Sequence, residues 1–75
     1  MNDLKPGKYK HYKGGFYKII GIAIHSETLE EMVVYRALYG SKEFDKNALF
    51  VRPKQMFLER VVVDGKEVQR FKFVE

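Results

Sequence analysis

"FLERVVVDGKEVQRFKFV", residues 57–74, sets two apolar, β-branched runs on either side of Asp64-Gly65. Asp-Gly tolerates positive φ at both central positions of a two-residue turn. The stretch therefore predicts a β-hairpin with strands over 57–63 and 66–74. In its second arm the apolar phase slips between Val68 and the pair Phe71, Phe73. One extra residue in a bulge would account for that slip.

The rest of the chain has the same punctuation. Pro6-Gly7, Gly14-Gly15 and Gly40 separate short runs rich in Val, Ile, Tyr and Phe, and such spacing reads as a β-meander. Strands are expected over 8–12, 16–25, 32–39 and 48–52. In the second, Ile20, Ile22 and Ile24 make an apolar row, while Tyr17, Ile19, Gly21, Ala23 and His25 share the other face. Gly21 inside a strand marks a bulge or bend. In the third, Val33, Tyr35, Ala37 and Tyr39 lie on one face and Arg36 on the other. Arg52 precedes a proline and is held extended, and residues 53–56 suit one helical turn with Pro53 at its first position. Five to six short strands with one or two single-turn helices predict a single all-β domain over residues 1–75. A small, strongly bent SH3-like barrel is the expected architecture.

Composition narrows the chemistry. A chain of 75 residues buries only about 60% of the surface its unfolded form exposes, so its margin of stability is thin. With no Cys, disulfides, thiolate catalysis and cysteine zinc sites are excluded. Stability must come from a core, and six Phe and five Tyr within 45% hydrophobic content can supply one. The start, "MNDLKPGKYK", has no apolar signal region. No run approaches the roughly 20 apolar residues of a membrane helix. A cytoplasmic protein with no membrane partner is the expectation. The net charge of +4 resides entirely in residues 1–18, where Lys5, Lys8, Lys10, Lys13 and Lys18 face Asp3 alone. Lys8, Tyr9, Lys10, His11 and Lys13 form a basic, aromatic stripe suited to nucleic-acid contact. The same lysines also suit an edge strand protected against sheet-to-sheet pairing.

Reactive-looking side chains cluster in "HSET", residues 25–28. Neighbours in a strand point to opposite faces, so His25 and Ser26 are poorly placed as base and nucleophile. Thr28-x-x-Glu31 matches a capping box, with Leu29 pinning the turn to the barrel. His11 and His25 have no metal-ligand spacing, so no metal and no cofactor are expected. Arg36 and Arg52 would either pair with Glu27, Glu31 or Glu59, or bind a carboxylate or phosphate.

Two long stretches, "GKYKHYKGGFYKIIGIAIHSETLEEMVVYRALYG" (7–40) and "LFVRPKQMFLERVVVDGKEVQRFKF" (49–73), closely resemble the bacterial domain of unknown function 1653 family. Phe50 departs from the tryptophan common there and keeps the aromatic wall. The resemblance implies a compact β domain and no defined activity. It directs attention to Tyr9, His11, Lys13, His25, Ser26, Glu27, Thr28, Tyr35, Arg36, Tyr39, Arg52 and Pro53. The functional expectation is a non-catalytic binding module with no catalytic residues. Its ligand-binding cleft, for a small anionic or nucleotide-like group or RNA, is built from His25, Ser26, Glu27, Thr28, Tyr35, Arg36, Tyr39 and Arg52. The alternatives are a protein-interaction or homo-oligomerisation module with a structural "HSET" turn, and a small hydrolase or metal enzyme using His25 and Glu27.

Overall fold

The turn at Asp64-Gly65 forms as its sequence requires, with arms shorter than the expected 57–63 and 66–74 because Phe57 belongs to a helical turn and Phe71–Phe73 to another sheet. Asp64 and Gly65 have φ of 52° and 78°, the positive values of a two-residue turn that follows strand twist. They join β5 (Arg60–Val63) to β6 (Lys66–Gln69) in a two-stranded sheet. In the computed structural model, which describes residues 4–75, the other strands form one larger sheet. These are β1 (Gly7–His11), β2 (Phe16–Ile24), β3 (Glu31–Ala37), β4 (Leu49–Pro53) and β7 (Phe71–Phe73). Their order is β4-β3-β2-β1-β7, antiparallel throughout. Between β4 and β5 lies the one-turn helix α1 (Lys54–Phe57), with Pro53 just before it as N-cap.

Seven strands are thus present among the described residues, and the larger sheet is open, with β4 and β7 at its edges. The expected all-β domain forms, but its strands do not close into a barrel. At Arg70 the phase slip proves to be a change of sheet rather than a bulge. The Arg70 N–H bonds the Glu59 carbonyl at 3.0 Å, beside the small sheet, and its carbonyl accepts from Tyr12 N–H at 2.9 Å, beside the large one. The next residues, Phe71 to Phe73, pair with β1. β1 therefore lies inside the sheet, between β2 and β7, and its lysines do not guard an edge.

The core sits on one face of the five-stranded sheet. Alternation along β1, β3 and β7 turns Tyr9, Val33, Tyr35, Ala37 and Phe71 inward. On β2 the inward phase changes partway. Ile19 pairs with Tyr35 but Gly21 pairs with Val34, leaving Ile20 as the extra residue of a bulge. Tyr17 and Ile19 face inward before it, Ile22 and Ile24 after it. The expected row Ile20–Ile22–Ile24 is broken there, and Ile20 is exposed. A one-residue shift turns every later side chain to the opposite face, and Gly21 marks the place.

Helix α1 closes the inner face. Its Phe57 is 1% exposed and stacks on Phe71 at 4.1 Å between ring centroids, 5° from parallel. Edge contacts join Phe57 to Tyr9 and Tyr35. Lys54, on the same helix, bonds Glu31 at 3.3 Å. Phe57→Ala removes this closing ring and should cost about 3–5 kcal/mol of unfolding free energy. Val62→Ala, on the exposed face of the hairpin, should change it by no more than about 0.5 kcal/mol. Urea unfolding of the two variants checks the pair; similar midpoints would mean that α1 does not close the core.

Candidate functional site

The "HSET" segment is a self-contained turn joining β2 to β3. His25 N–H bonds the Glu30 carbonyl at 2.9 Å, and Leu29 N–H bonds the His25 carbonyl at 2.8 Å. The His25 ring caps the turn: its Nδ1 accepts from the N–H groups of Glu27 at 3.2 Å and Thr28 at 3.4 Å. Thr28 Oγ1 accepts from Glu30 N–H at 3.2 Å, two residues on rather than the three of a capping box. No helix starts here, and Glu31 belongs to β3 and the Lys54 pair. Leu29 does not pin the turn. It is 73% exposed with φ of 63°, a left-handed conformation unusual for a bulky residue. His25, Ser26, Glu27 and Thr28 are all exposed.

The remaining expected cleft residues divide between the two faces of the sheet. Tyr35 pairs with Ile19 and Phe50 on the inner face, whereas Arg36 pairs with Lys18 and Leu49 on the outer one. Arg52 pairs with Val33 and so faces inward. One cleft holding "HSET", Arg36 and Arg52 together does not exist. Nor do the expected ion pairs of the two arginines: Glu31 takes Lys54 and Glu59 takes Arg70. The basic stripe divides the same way. Tyr9 is 5% exposed in the core, with its hydroxyl donating to the Lys5 carbonyl at 2.8 Å. His11 also faces inward, Lys8 and Lys10 face outward, and Lys13 lies in the β1–β2 turn.

What does converge is a polar rim on the inner face. Arg52 lies over the Phe71 ring, 5.5 Å from its centroid, and its Nε donates to the Tyr35 hydroxyl at 3.3 Å. Tyr35 meets Tyr17 edge-on at 5.3 Å, and Tyr17 shares a 2.6 Å hydroxyl–hydroxyl hydrogen bond with Tyr39. His11 meets Phe71 at 4.8 Å and Tyr17 at 6.3 Å. Phe50 stacks on Tyr35, and Phe44 closes the wall against Tyr39 and Phe50. Gly15 admits this arrangement, since a Cβ there would stand 2.6–2.8 Å from the Tyr39 ring and hydroxyl. Tyr35, Tyr39, Arg52 and His11 were all legible as candidates. Tyr17, which links them, stands in the sequence among the aromatics between the first lysines, and nothing there joins it to Tyr39 or Tyr35.

The rim presents donors and a fixed cation. Burial, then the hydrogen bond with Tyr39, pushes the Tyr17 hydroxyl well above the ordinary tyrosine value, so it stays protonated. Among the described residues Arg52 has no carboxylate partner. His11 Nδ1 accepts from Lys13 N–H at 3.1 Å, which leaves the proton of the neutral ring on Nε2. An open groove of about 520 Å³ runs beside this rim, lined by Lys10, Arg60, Glu67 and Lys72 among others, and touches it only at His11. No group of three or more His, Cys, Asp or Glu suited to a metal occurs among the described residues, and none of their helices is long and apolar enough to cross a membrane.

Burial lowers the His11 pKa, and the charges of Arg52, Arg70 and Lys13 lower it further. An unfolded chain takes up this proton near pH 6.5, where the folded one resists it. The stabilising contribution is therefore complete above about pH 6.5 and is lost as pH falls toward the lowered folded value. The urea midpoint should drop between about pH 7 and pH 5.5, and His11→Gln should flatten that slope. An unchanged slope in His11→Gln would assign the titration to another group.

Comparison with known proteins agrees with this architecture. A family model described as a protein of unknown function, DUF1653, matches residues 7–73. The crystal structure of a DUF1653 protein from Bordetella bronchiseptica superposes with a TM-score of 0.84 at 35% identity, covering 96% of this chain and 88% of that one. No curated protein matches. By the extent of the family match and this identity, the chain belongs to the DUF1653 family.

Proposed function

We propose that the domain is a non-catalytic binding module whose inner rim holds a small anionic or nucleotide-like group. The observation that carries this reading is Arg52. The residue is half-buried, its guanidinium lies over the Phe71 ring and bonds the Tyr35 hydroxyl, and it has no counter-charge among the described residues. A buried or half-buried arginine ordinarily has a carboxylate partner. One held ready without it offers its remaining N–H groups to a carboxylate or phosphate in a fixed fork. Around it, the hydrogen-bonded Tyr17–Tyr39 hydroxyl pair supplies one free donor and an aromatic wall, and His11 a neutral ring. The rim combines no nucleophile with a base, so recognition fits it better than reaction. In the same reading the fold is an SH3-like barrel left open between β4 and β7, a bent meander whose last strand returns beside its first.

Adenosine 5′-monophosphate is the probe, with adenosine as its uncharged control. Titration followed by NMR should move the Arg52, Tyr17 and Tyr39 signals with the monophosphate and leave them with adenosine. Arg52→Gln should weaken binding about 10- to 150-fold, as expected for hydrogen bonds to a charged group. Gly15→Ala, which displaces Tyr39, should weaken it less, and His25→Ala should have no effect. Monophosphate binding that survives Arg52→Gln, or signals that never move, would contradict the reading.

A further inference from the structure

The outer face of the five-stranded sheet carries cations in register. Lys72, Lys10 and Phe16 lie directly opposite one another across β7, β1 and β2, and Lys8, Lys18 and Arg36 do so across β1, β2 and β3. Neighbouring strands are about 4.8 Å apart, and the two rows about 6.8 Å apart along the strand. Lys10–Lys72, Lys8–Lys18 and Lys18–Arg36 are like-charge pairs at directly opposed positions, which destabilise a sheet. A single carboxylate answers them among the described residues: Glu75, 3.3 Å from Lys8. Edge protection does not explain the pattern, because β1, β2 and β3 are interior strands. Phe16, which ends the first row on β2, is 39% exposed, with the ammonium groups of Lys8 and Lys10 at 5.2 and 5.8 Å from its ring centroid.

We infer that this outer face is a platform for single-stranded nucleic acid, with the two cation rows on the phosphates and Phe16 under a base. A sheet face with a half-exposed aromatic ring among cations in register has the parts of such a platform. A membrane surface would also attract the charge. The regular cross-strand rows around one exposed ring favour a polyanion with a periodic backbone and stackable bases. This inference concerns the face opposite the Arg52 rim, so the two readings fail or succeed separately.

Fluorescence anisotropy with a labelled 12-nucleotide single-stranded RNA of mixed sequence tests it. With about five phosphate contacts, affinity should fall about a hundredfold between about 50 and 200 mM salt. Lys18→Ala and Arg36→Ala should each weaken binding and reduce the log–log salt slope by about 0.7. The pair Lys10→Ala, Lys72→Ala does the same for the other row. Phe16→Ala should weaken binding about 5- to 150-fold, while Lys42→Ala leaves it unchanged. Removing a cation relieves like-charge repulsion, so these variants should melt no lower than the parent. No binding at 50 mM salt, or binding indifferent to both rows, would overturn the inference. So would charge-dependent binding to phosphatidylserine vesicles alone, with RNA left free.

Discussion

The stack of Phe57 on Phe71 is the contact through which the other parts of this domain are joined. Each ring comes from an element too short to hold itself: α1 has four residues and β7 three. Neither forms alone, since a single helical turn lacks the bonds to offset its nucleation and three residues make a weak strand. Packed together they cover Tyr9 and Tyr35, and Phe71 in turn carries Arg52. The hydrophobic burial that closes the core thus also places the one inward-facing guanidinium of the rim.

Much of this was legible before any coordinates. Asp64-Gly65 allowed few conformations other than a tight hairpin, Gly21 signalled the bulge, and Pro53 marked where β4 must give way to a helical turn. These residues act locally, through allowed φ and ψ, and local constraints can be read from a sequence. The misreadings have non-local causes. The shift at Arg70 looked like a bulge because both alternatives produce the same slip in alternation; which strand Phe71 joins depends on β1, sixty residues away. Ile20 seemed to belong with Ile22 and Ile24 because a bulge near Gly21 does not announce which neighbour is the extra residue. The role of His25 was hidden as well. A histidine whose ring nitrogen caps its own turn has the composition of a reactive site and the work of a serine or asparagine.

The same alternation that builds the core separates two kinds of surface chemistry. Inward, burial selects aromatic rings and neutral hydroxyls, and Arg52 is admitted because Phe71 and Tyr35 accept it. Outward, Lys8, Lys10, Lys18, Arg36 and Lys72 remain in water around Phe16. A chain of this size has little stability to spare, yet it keeps like charges opposed across three neighbouring strand pairs and, among the described residues, a guanidinium without a counter-ion. Packing alone does not call for either. The candidate residues chosen from sequence were of the right types, but the pleat sends Arg36 and Arg52 to opposite faces, and a sequence-local loop cannot stand in for that division.

The central claim is that the core itself orients Arg52. The Nε–H resonance of Arg52 reports on it directly, through its exchange with solvent at neutral pH. The account predicts exchange slower than that of the exposed Arg60, and faster exchange in Tyr35→Phe, which removes the accepting hydroxyl while keeping the ring. An Arg52 Nε–H that exchanges as fast as that of Arg60, in a folded protein, would contradict it.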